Sequence, residues 1–249
     1  MDVHRRSVPG QSLKFGDCTV TFIVDTSLAI LGYEALISDS IKSLLAYQEK
    51  NVTGTFKYRI FEAGYYGGWW PPKKYFSSID FVRPPHTLTL CDAFQQVYQD
   101  IHYDERNVIV VIRFNSNDDS VSASCERRTA HFLGHNTSQV LYVGLNHDTN
   151  VVVSRYGVPR DHTIVCGVPT FHLAMQSCSD SIGRLRVMAD LYNARRAASV
   201  TAFSEDDRQR AFPNEWRGNK EFHNRIGKLD DYNNQVNWKL NALHSRFAV

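Results

Sequence analysis

Histidine and cysteine are the residue types in this chain that could do catalytic chemistry, but their spacing argues against it. His131 and His135 have the i, i+4 spacing of a zinc-binding helix, yet no glutamate base lies between them and Gly134 weakens a helix. His162 and Cys166 could pair as base and nucleophile, but residues four apart on a strand are too distant to share a hydrogen bond. We therefore predict no catalytic residue and no enzymatic activity.

Two further segments contain groups that hold ions in other proteins. Residues 24–29, Val-Asp-Thr-Ser-Leu-Ala, resemble the start of the metal-binding loop of von Willebrand A domains, Asp-x-Ser-x-Ser. Thr26 and Ala29 leave its hydroxyl ligands misplaced or missing, so a strand end with a turn is favoured and we predict no metal site. Residues 65–74 have glycines followed by lysines that could hold a phosphate, but not in the GxxxxGK[ST] order of a phosphate loop. Cofactor-binding residues stay unassigned.

The segment 64–75, Gly-Tyr-Tyr-Gly-Gly-Trp-Trp-Pro-Pro-Lys-Lys-Tyr, predicts a loop that packs against another surface. Its three glycines and two prolines oppose regular structure, while its five aromatic rings are costly to leave in water. We expect these rings either to make contacts between subunits or to lie in the core. The candidate contact residues are Tyr65, Tyr66, Trp69, Trp70 and Tyr75.

The charge composition favours association with copies of the same chain. The formal net charge is +2, and 19 of the 28 cationic residues are Arg, which is enriched at protein contacts, whereas Lys is depleted there. A nearly neutral surface repels its own kind weakly. Nucleic-acid binding would need a basic excess that this chain lacks.

The cysteines and the apolar runs predict a cytoplasmic protein. Five widely spaced cysteines without a CxxC pair indicate neither a disulfide framework nor a zinc site, so we expect buried free thiols. The first residues contain no apolar leader segment, and the longest apolar runs, 21–24 and 108–112, have the length of strands.

The elements that must position these residues follow from hydrophobic periodicity. Helices are expected from Ser38 or Ser40 to about Lys50, over 92–103, over 170–199 and near the end of the chain. The β-branched and alternating segments predict strands at 18–25, 55–62, 86–91, 107–114, 121–126, 139–145, 151–155 and 162–167. We interpret the chain as a single α+β domain, a compact antiparallel β-sandwich flanked by helices. Its parts are an arm (1–17), a β-rich core (18–168), a long helix (169–200) and a C-terminal extension (201–249).

The order of these segments resembles the polyhedrin of cypoviruses, insect viruses that embed their particles in protein crystals. The likeness lies in Ser-Asp-Ser-Ile-Lys-Ser-Leu-Leu-Ala-Tyr (38–47), Phe-Lys-Tyr-Arg-Ile-Phe-Glu (56–62), Gly-Tyr-Tyr-Gly-Gly (64–68) and a helix with Gln-Ser-Cys (176–178). The resemblance implies a β-sandwich with helices, a homotrimer, and a crystal lattice around virus particles in the cytoplasm of the infected cell. It also implies structural nucleoside triphosphates, whose contacts it does not assign here.

This resemblance predicts a structural protein of viral occlusion bodies that dissolve in alkali. Tyr and Lys side chains titrate near pH ~10, so strong base would make the subunits negative and drive them apart. The alternatives are a soluble nucleotide- or phosphate-binding module and, less favoured, a hydrolase.

Overall fold

The fold was determined from a computed structural model. It describes residues 16–25, 33–63, 81–82, 90–101, 106–113, 138–145, 149, 156–188 and 199–213. Among them are six strands and four α-helices. The strands are β1 (Cys18–Asp25), β2 (Phe56–Ala63), β3 (Phe81–Val82), β4 (Asn107–Arg113), β5 (Ser138–Leu145) and β6 (Thr163–Cys166). The helices are α1 (Glu34–Asn51), α2 (Leu90–Gln99), α3 (Phe171–Arg186) and α4 (Glu205–Ala211).

The six strands form one sheet in the order β3-β2-β1-β4-β5-β6, and every neighbouring pair is parallel. The register is continuous across its centre, where Phe22 lies beside Ile60 on one side and beside Val110 on the other. The central strands are buried on both faces, as parallel strands covered by helices must be. In β4 the run Asn-Val-Ile-Val-Val-Ile is buried without interruption.

One face of the sheet is covered by α1, α3 and α4. Even-numbered residues of β1, such as Val20 and Phe22, pack there against Ile41 of α1 and against Ala174 and Ile182 of α3. Each fully buried apolar side chain of this kind contributes about 1.5–3 kcal/mol to folding. Of the two apolar clusters formed by the residues that the structure describes, this is the larger.

The opposite face is covered by α2. Ile23, Val111 and Tyr142 belong to a second cluster with Phe94 and Val97 of α2. The helix therefore buries its apolar side on the sheet while Asp92 and Gln99 remain exposed. Helices on both faces of a parallel sheet define a doubly wound α/β fold.

The predicted antiparallel β-sandwich is wrong. All strand pairs described are parallel, and helices alternate with strands instead of gathering near the ends of the chain. A parallel connection needs a crossover of a dozen or more residues, which α1 supplies between β1 and β2.

Most of the individual elements that fall in the described ranges were predicted at nearly their observed positions. The strands at 18–25, 55–62, 107–114, 139–145 and 162–167 are confirmed within one to two residues, and the helix at 92–103 exists as Leu90–Gln99. Three details are wrong. Leu90 and Cys91 begin a helix instead of ending a strand, and α1 begins at Glu34 with Ser38 and Ser40 buried inside it. The long helix predicted over 170–199 begins at Phe171 but ends at Arg186.

A buried arginine connects segments that lie near the amino ends of the strands. Arg186, at the end of α3, donates from Nε to the Gly16 carbonyl at 2.7 Å and from Nη1 to the Gln48 carbonyl at 2.9 Å. Its guanidinium also lies 4.7 Å from the centre of the Phe56 ring. Arg186 is fully buried and is bound to carbonyl groups.

Several sequence predictions lie outside the described residues. These are the strands at 121–126 and 151–155, the arm before Gly16 and the final helix. In the part of the chain that is described, no helix is long and apolar enough to span a bilayer.

Candidate functional site

The strand order reverses direction at β1. From β1 the chain proceeds outward through α1 to β2 and β3, then returns through α2 to β4 on the other side of β1. The two crossover helices lie on opposite faces, α1 in the first cluster and α2 in the second. In open α/β sheets this reversal leaves a crevice outside the carboxyl ends of the two strands, where ligands bind. The carboxyl ends of β1 and β4 are therefore the candidate site.

Two charged residues end the two strands that flank this crevice. Asp25 is the last residue of β1, and Arg113 is the last residue of β4. The ladder of β1 and β4 ends at Val24 and Ile112, so Asp25 and Arg113 are the residues that follow its last pair. The site thus begins with one acidic and one basic residue side by side.

The positions on either side of this pair carry small residues. Ala63 of β2 is paired with Asp25, and Gly144 of β5 is paired with Arg113. We call these four, Ala63, Asp25, Arg113 and Gly144, the rim row. The row is thus charged in the middle and small at its ends, at the carboxyl edge of the sheet where ligands bind in folds of this kind.

Two residues earlier in each of these strands, the side chains are shielded from water. Ile23, Phe61, Val111 and Tyr142 are fully buried and belong to the cluster beneath α2. Arg113 is half-buried at the border of this cluster. Water screens charges poorly at such a border, so interactions made there are stronger than on an open surface.

The histidine and cysteine pair considered from sequence is not brought together for catalysis. The Nε2 atom of His162 lies 3.4 Å from the Thr201 hydroxyl, whereas the Cys166 thiol lies 3.9 Å from the Gly144 carbonyl. Cys166 is fully buried, and burial raises its pKa well above the ordinary range. A neutral thiol enclosed in this way is not a nucleophile.

The other candidates lie outside the residues that the structure describes. This holds for the proposed lattice contacts Tyr65, Tyr66, Trp69, Trp70 and Tyr75, for the histidines 131 and 135, and for the lysines that could hold a phosphate. Within the described ranges, no group of three or more His, Cys, Asp or Glu side chains is arranged to hold a metal ion.

The sequence contains one signal for the rim row. Counted from Asp25, Ser27 keeps the first serine position of the Asp-x-Ser-x-Ser pattern, and only the second is lost, to Ala29. Arg113 carried no motif at all. It became a candidate only when the register of β1 and β4 was known.

No model of a known protein family matches the chain, and a search of curated proteins finds no relative.

Proposed function

We propose that the chain is a binding module that takes its ligand at the carboxyl ends of β1 and β4 through a divalent cation held by Asp25. The observation that carries this proposal is the reversal of strand order at β1, with a carboxylate as the last residue of that strand. The alternative in the sequence analysis was a soluble nucleotide- or phosphate-binding module, and the present proposal keeps the binding module and adds the cation.

The residues after Asp25 favour a cation over a bound dinucleotide. A dinucleotide fold needs a G-x-G-x-x-G turn directly after the first strand, but residues 26–33 read Thr-Ser-Leu-Ala-Ile-Leu-Gly-Tyr, with one glycine. Instead, Asp25 is followed two residues later by the hydroxyl-bearing Ser27. Carboxylate and hydroxyl oxygens are hard ligands of the kind that Mg²⁺ and Mn²⁺ prefer.

A magnesium site needs few protein ligands. Mg²⁺ keeps several of its waters and is usually bound by one or two carboxylates together with oxygens of the ligand. One carboxylate at position 25 is therefore a sufficient starting point, and the ligand completes the coordination.

Self-assembly into occlusion-body crystals stays a prediction, as does the absence of enzymatic activity. The cypovirus resemblance implied a β-sandwich, and this chain has a parallel α/β sheet, so we do not build on that resemblance. A trimer seen by sedimentation at neutral pH would favour self-assembly again, whereas a monomer agrees with a binding module.

The test is cation binding by the purified chain and by an isosteric variant. Mn²⁺, followed by electron paramagnetic resonance and calorimetry, should bind the wild type at one site. Asp25→Asn removes the charge and keeps the shape, so it should weaken Mn²⁺ binding at least about tenfold, or ~1.4 kcal/mol.

The matched control is Asp39→Asn, which removes an exposed carboxylate on α1, where it pairs with Lys42 at 3.8 Å. This control should bind Mn²⁺ as the wild type does. Equal affinity in the Asp25→Asn variant and in the wild type would disprove the cation site, provided that both melt at similar temperatures.

A further inference from the structure

A thiol and two arginines are buried together near the amino ends of the central strands. Cys18 begins β1 and is 3% exposed, while Arg106 and Arg186 are 1% and 0% exposed. The rim row lies at the opposite ends of the same strands. This cluster is therefore separate from the proposed ligand site.

The sheet places Cys18 between the two guanidinium groups. On one side Cys18 is paired with Phe56 of β2, and the Arg186 guanidinium lies 4.7 Å from the centre of the Phe56 ring. On the other side, Arg106 directly precedes the first pair of β1 and β4, and its carbonyl accepts from the next amide of β1 at 2.8 Å. The Arg106 side chain lies on the face covered by α3, because its Nη2 donates to the Met188 carbonyl at 3.1 Å.

Backbone carbonyl groups hold both guanidinium groups in place. Arg106 donates from Nη1 to the Asp17 carbonyl at 3.2 Å, and Arg186 donates from Nε to the Gly16 carbonyl at 2.7 Å. Carbonyl groups satisfy N–H donors but carry no net charge. Two cations enclosed in this way are stabilised further by an anion that lies beside both of them.

Cys18 is better placed than Asp17 to supply that negative charge. Burial lowers the pKa of both arginines, and negative charge on Cys18 and on Asp17 acts against this effect. Asp17 is half-buried, and its Oδ1 accepts from the Thr55 amide at 2.6 Å, so water screens its charge more than it would screen a charge on Cys18. The attraction is mutual, so the arginines favour the thiolate as much as the thiolate favours them.

We propose that Cys18 is a thiolate in the folded chain at neutral pH and forms an ion cluster with Arg106 and Arg186. β2 and α1 contribute uncharged side chains to this cluster, namely Phe56 and Gln48. Protonation of Cys18 removes the anion, so the connection between β1, the start of β4 and the end of α3 weakens in acid. The cluster is a pH-sensitive contact within the fold.

The proposal fixes the direction in which pH changes stability. A thiol of the unfolded chain ionises near pH ~8.5, whereas a thiol beside arginines ionises near pH ~3.5–7.5. The stability that Cys18 contributes is therefore complete above pH ~8.5 and is lost as the pH falls through the folded value. Compared with Cys18→Ser, the wild type should gain stability to urea between about pH 6 and pH 8.5. A difference that does not grow over this range would overturn the proposal.

The direct experiment follows the ionisation of each cysteine in the full chain. Cysteine labelled with carbon-13 at Cβ is observed by NMR, and Cys18→Ser, or Cys18→Ala if the serine variant is unstable, identifies the Cys18 signal by its loss. Cys178, whose pKa burial raises, marks the position of a neutral thiol. We expect the Cys18 signal to be that of a thiolate at neutral pH, with a titration midpoint below pH ~7.5. A midpoint at or above this value contradicts the proposal.

Two variants assign the ionisation to the arginines. Arg106→Gln should raise the titration midpoint of Cys18 by at least about one pH unit. Arg106→Lys keeps the charge and should keep the midpoint low, which also guards against loss of folding in the glutamine variant. The control is Arg184→Gln, which removes an arginine of α3 that donates to the Val200 carbonyl at 2.7 Å, and it should leave the midpoint unchanged. If Arg106→Gln also leaves it unchanged, the ion cluster is disproved.

Discussion

Two glycines of this chain differ in the space that a side chain would find there. Gly16 has φ +85°, and a Cβ atom there would lie 1.8 Å from the Thr53 carbonyl oxygen. Gly183, inside α3, would place a Cβ atom 3.7 Å from Nε2 of Gln48, which is an ordinary contact. Only the first position requires glycine, because L residues rarely adopt positive φ and backbone cannot give way to a 1.8 Å contact.

Alanine substitution at these two glycines should therefore change stability in opposite directions. Gly16→Ala should lower the free energy of unfolding by at least about 2 kcal/mol through strain and the displaced Thr53 backbone. Gly183→Ala should raise it by up to about 1 kcal/mol, since Ala is the better helix former. Urea unfolding measures both, and a neutral effect of Gly16→Ala would contradict the close packing of residues 16 and 53.

At the scale of single residues, the sequence does not predict that a side chain is buried when the groups that surround it lie far away in the chain. Arg186 has the sequence context of a surface arginine near the end of a helix. It is buried because Gly16 and the turn after α1 supply carbonyl groups around it, from positions more than 130 residues earlier. No local pattern contains that information.

Most elements follow from local periodicity and were predicted, but α4 was not, although the sequence contains its capping residues, Ser204 and Asp207. In α4, Ser204 and Asp207 form a reciprocal cap: the Ser204 hydroxyl accepts from the Asp207 amide at 3.1 Å, and the Asp207 carboxylate accepts from the Ser204 amide at 2.8 Å. The Ser177 hydroxyl of α3 donates to the same carboxylate at 3.0 Å. The cap therefore also joins α4 to α3.

This shared carboxylate predicts an acid-sensitive contribution to stability. Burial alone would raise the pKa of Asp207, but hydrogen bonds from Ser204, Ser177 and Arg210 outweigh it and lower the pKa below its ordinary value. A depressed pKa stabilises the folded chain above the unfolded value of about 3.9, and that contribution disappears as pH falls through the folded pKa.

Asp207→Asn should accordingly lower the free energy of unfolding by about 1–3 kcal/mol at pH 7, with a difference from wild type that shrinks towards pH 3. The control is Asp206→Asn, an exposed neighbour in the same turn, which should have a smaller effect. Urea midpoints across this pH range give the comparison. A difference that stays constant with pH would show that the carboxylate charge plays no part.

For the whole molecule, the sequence predicted the strands but not how they pair. β4 reads as an unbroken apolar run, Val108–Ile112, which is typical of a parallel strand buried on both faces, yet the same run also suits a sandwich core. The alternation of β1, α1 and β2 was visible and favoured a parallel crossover. The rim row needed the register as well, because Asp25 and Arg113 are 88 positions apart in sequence and adjacent only in the sheet.

The core between the sheet and α3 gives the molecule a predictable response to alkali. The thiols of Cys166 and Cys178 are fully buried, and burial raises the pKa of both. In the unfolded chain each thiol ionises near pH ~8.5, whereas the folded chain keeps it protonated. The folded state thus holds more protons in alkali, so the stability that these thiols contribute is complete below pH ~8.5 and is lost as the pH rises.

At pH 10 this loss should amount to about 2 kcal/mol for each thiol relative to neutral pH.

Tyrosines and lysines also titrate there, so the informative quantity is the difference in pH dependence between variants. The double variant Cys166→Ala/Cys178→Ala should be less stable at pH 7.5, because it leaves cavities, but should lose about 4 kcal/mol less than wild type between pH 7.5 and 10. Cys91→Ala, which removes a thiol of intermediate burial, serves as the control for loss of a cysteine outside this core. Urea unfolding at both pH values gives the change in the free energy of unfolding for each variant. An equal change in the double variant and in the wild type would mean that the two thiols reach solvent in the folded chain.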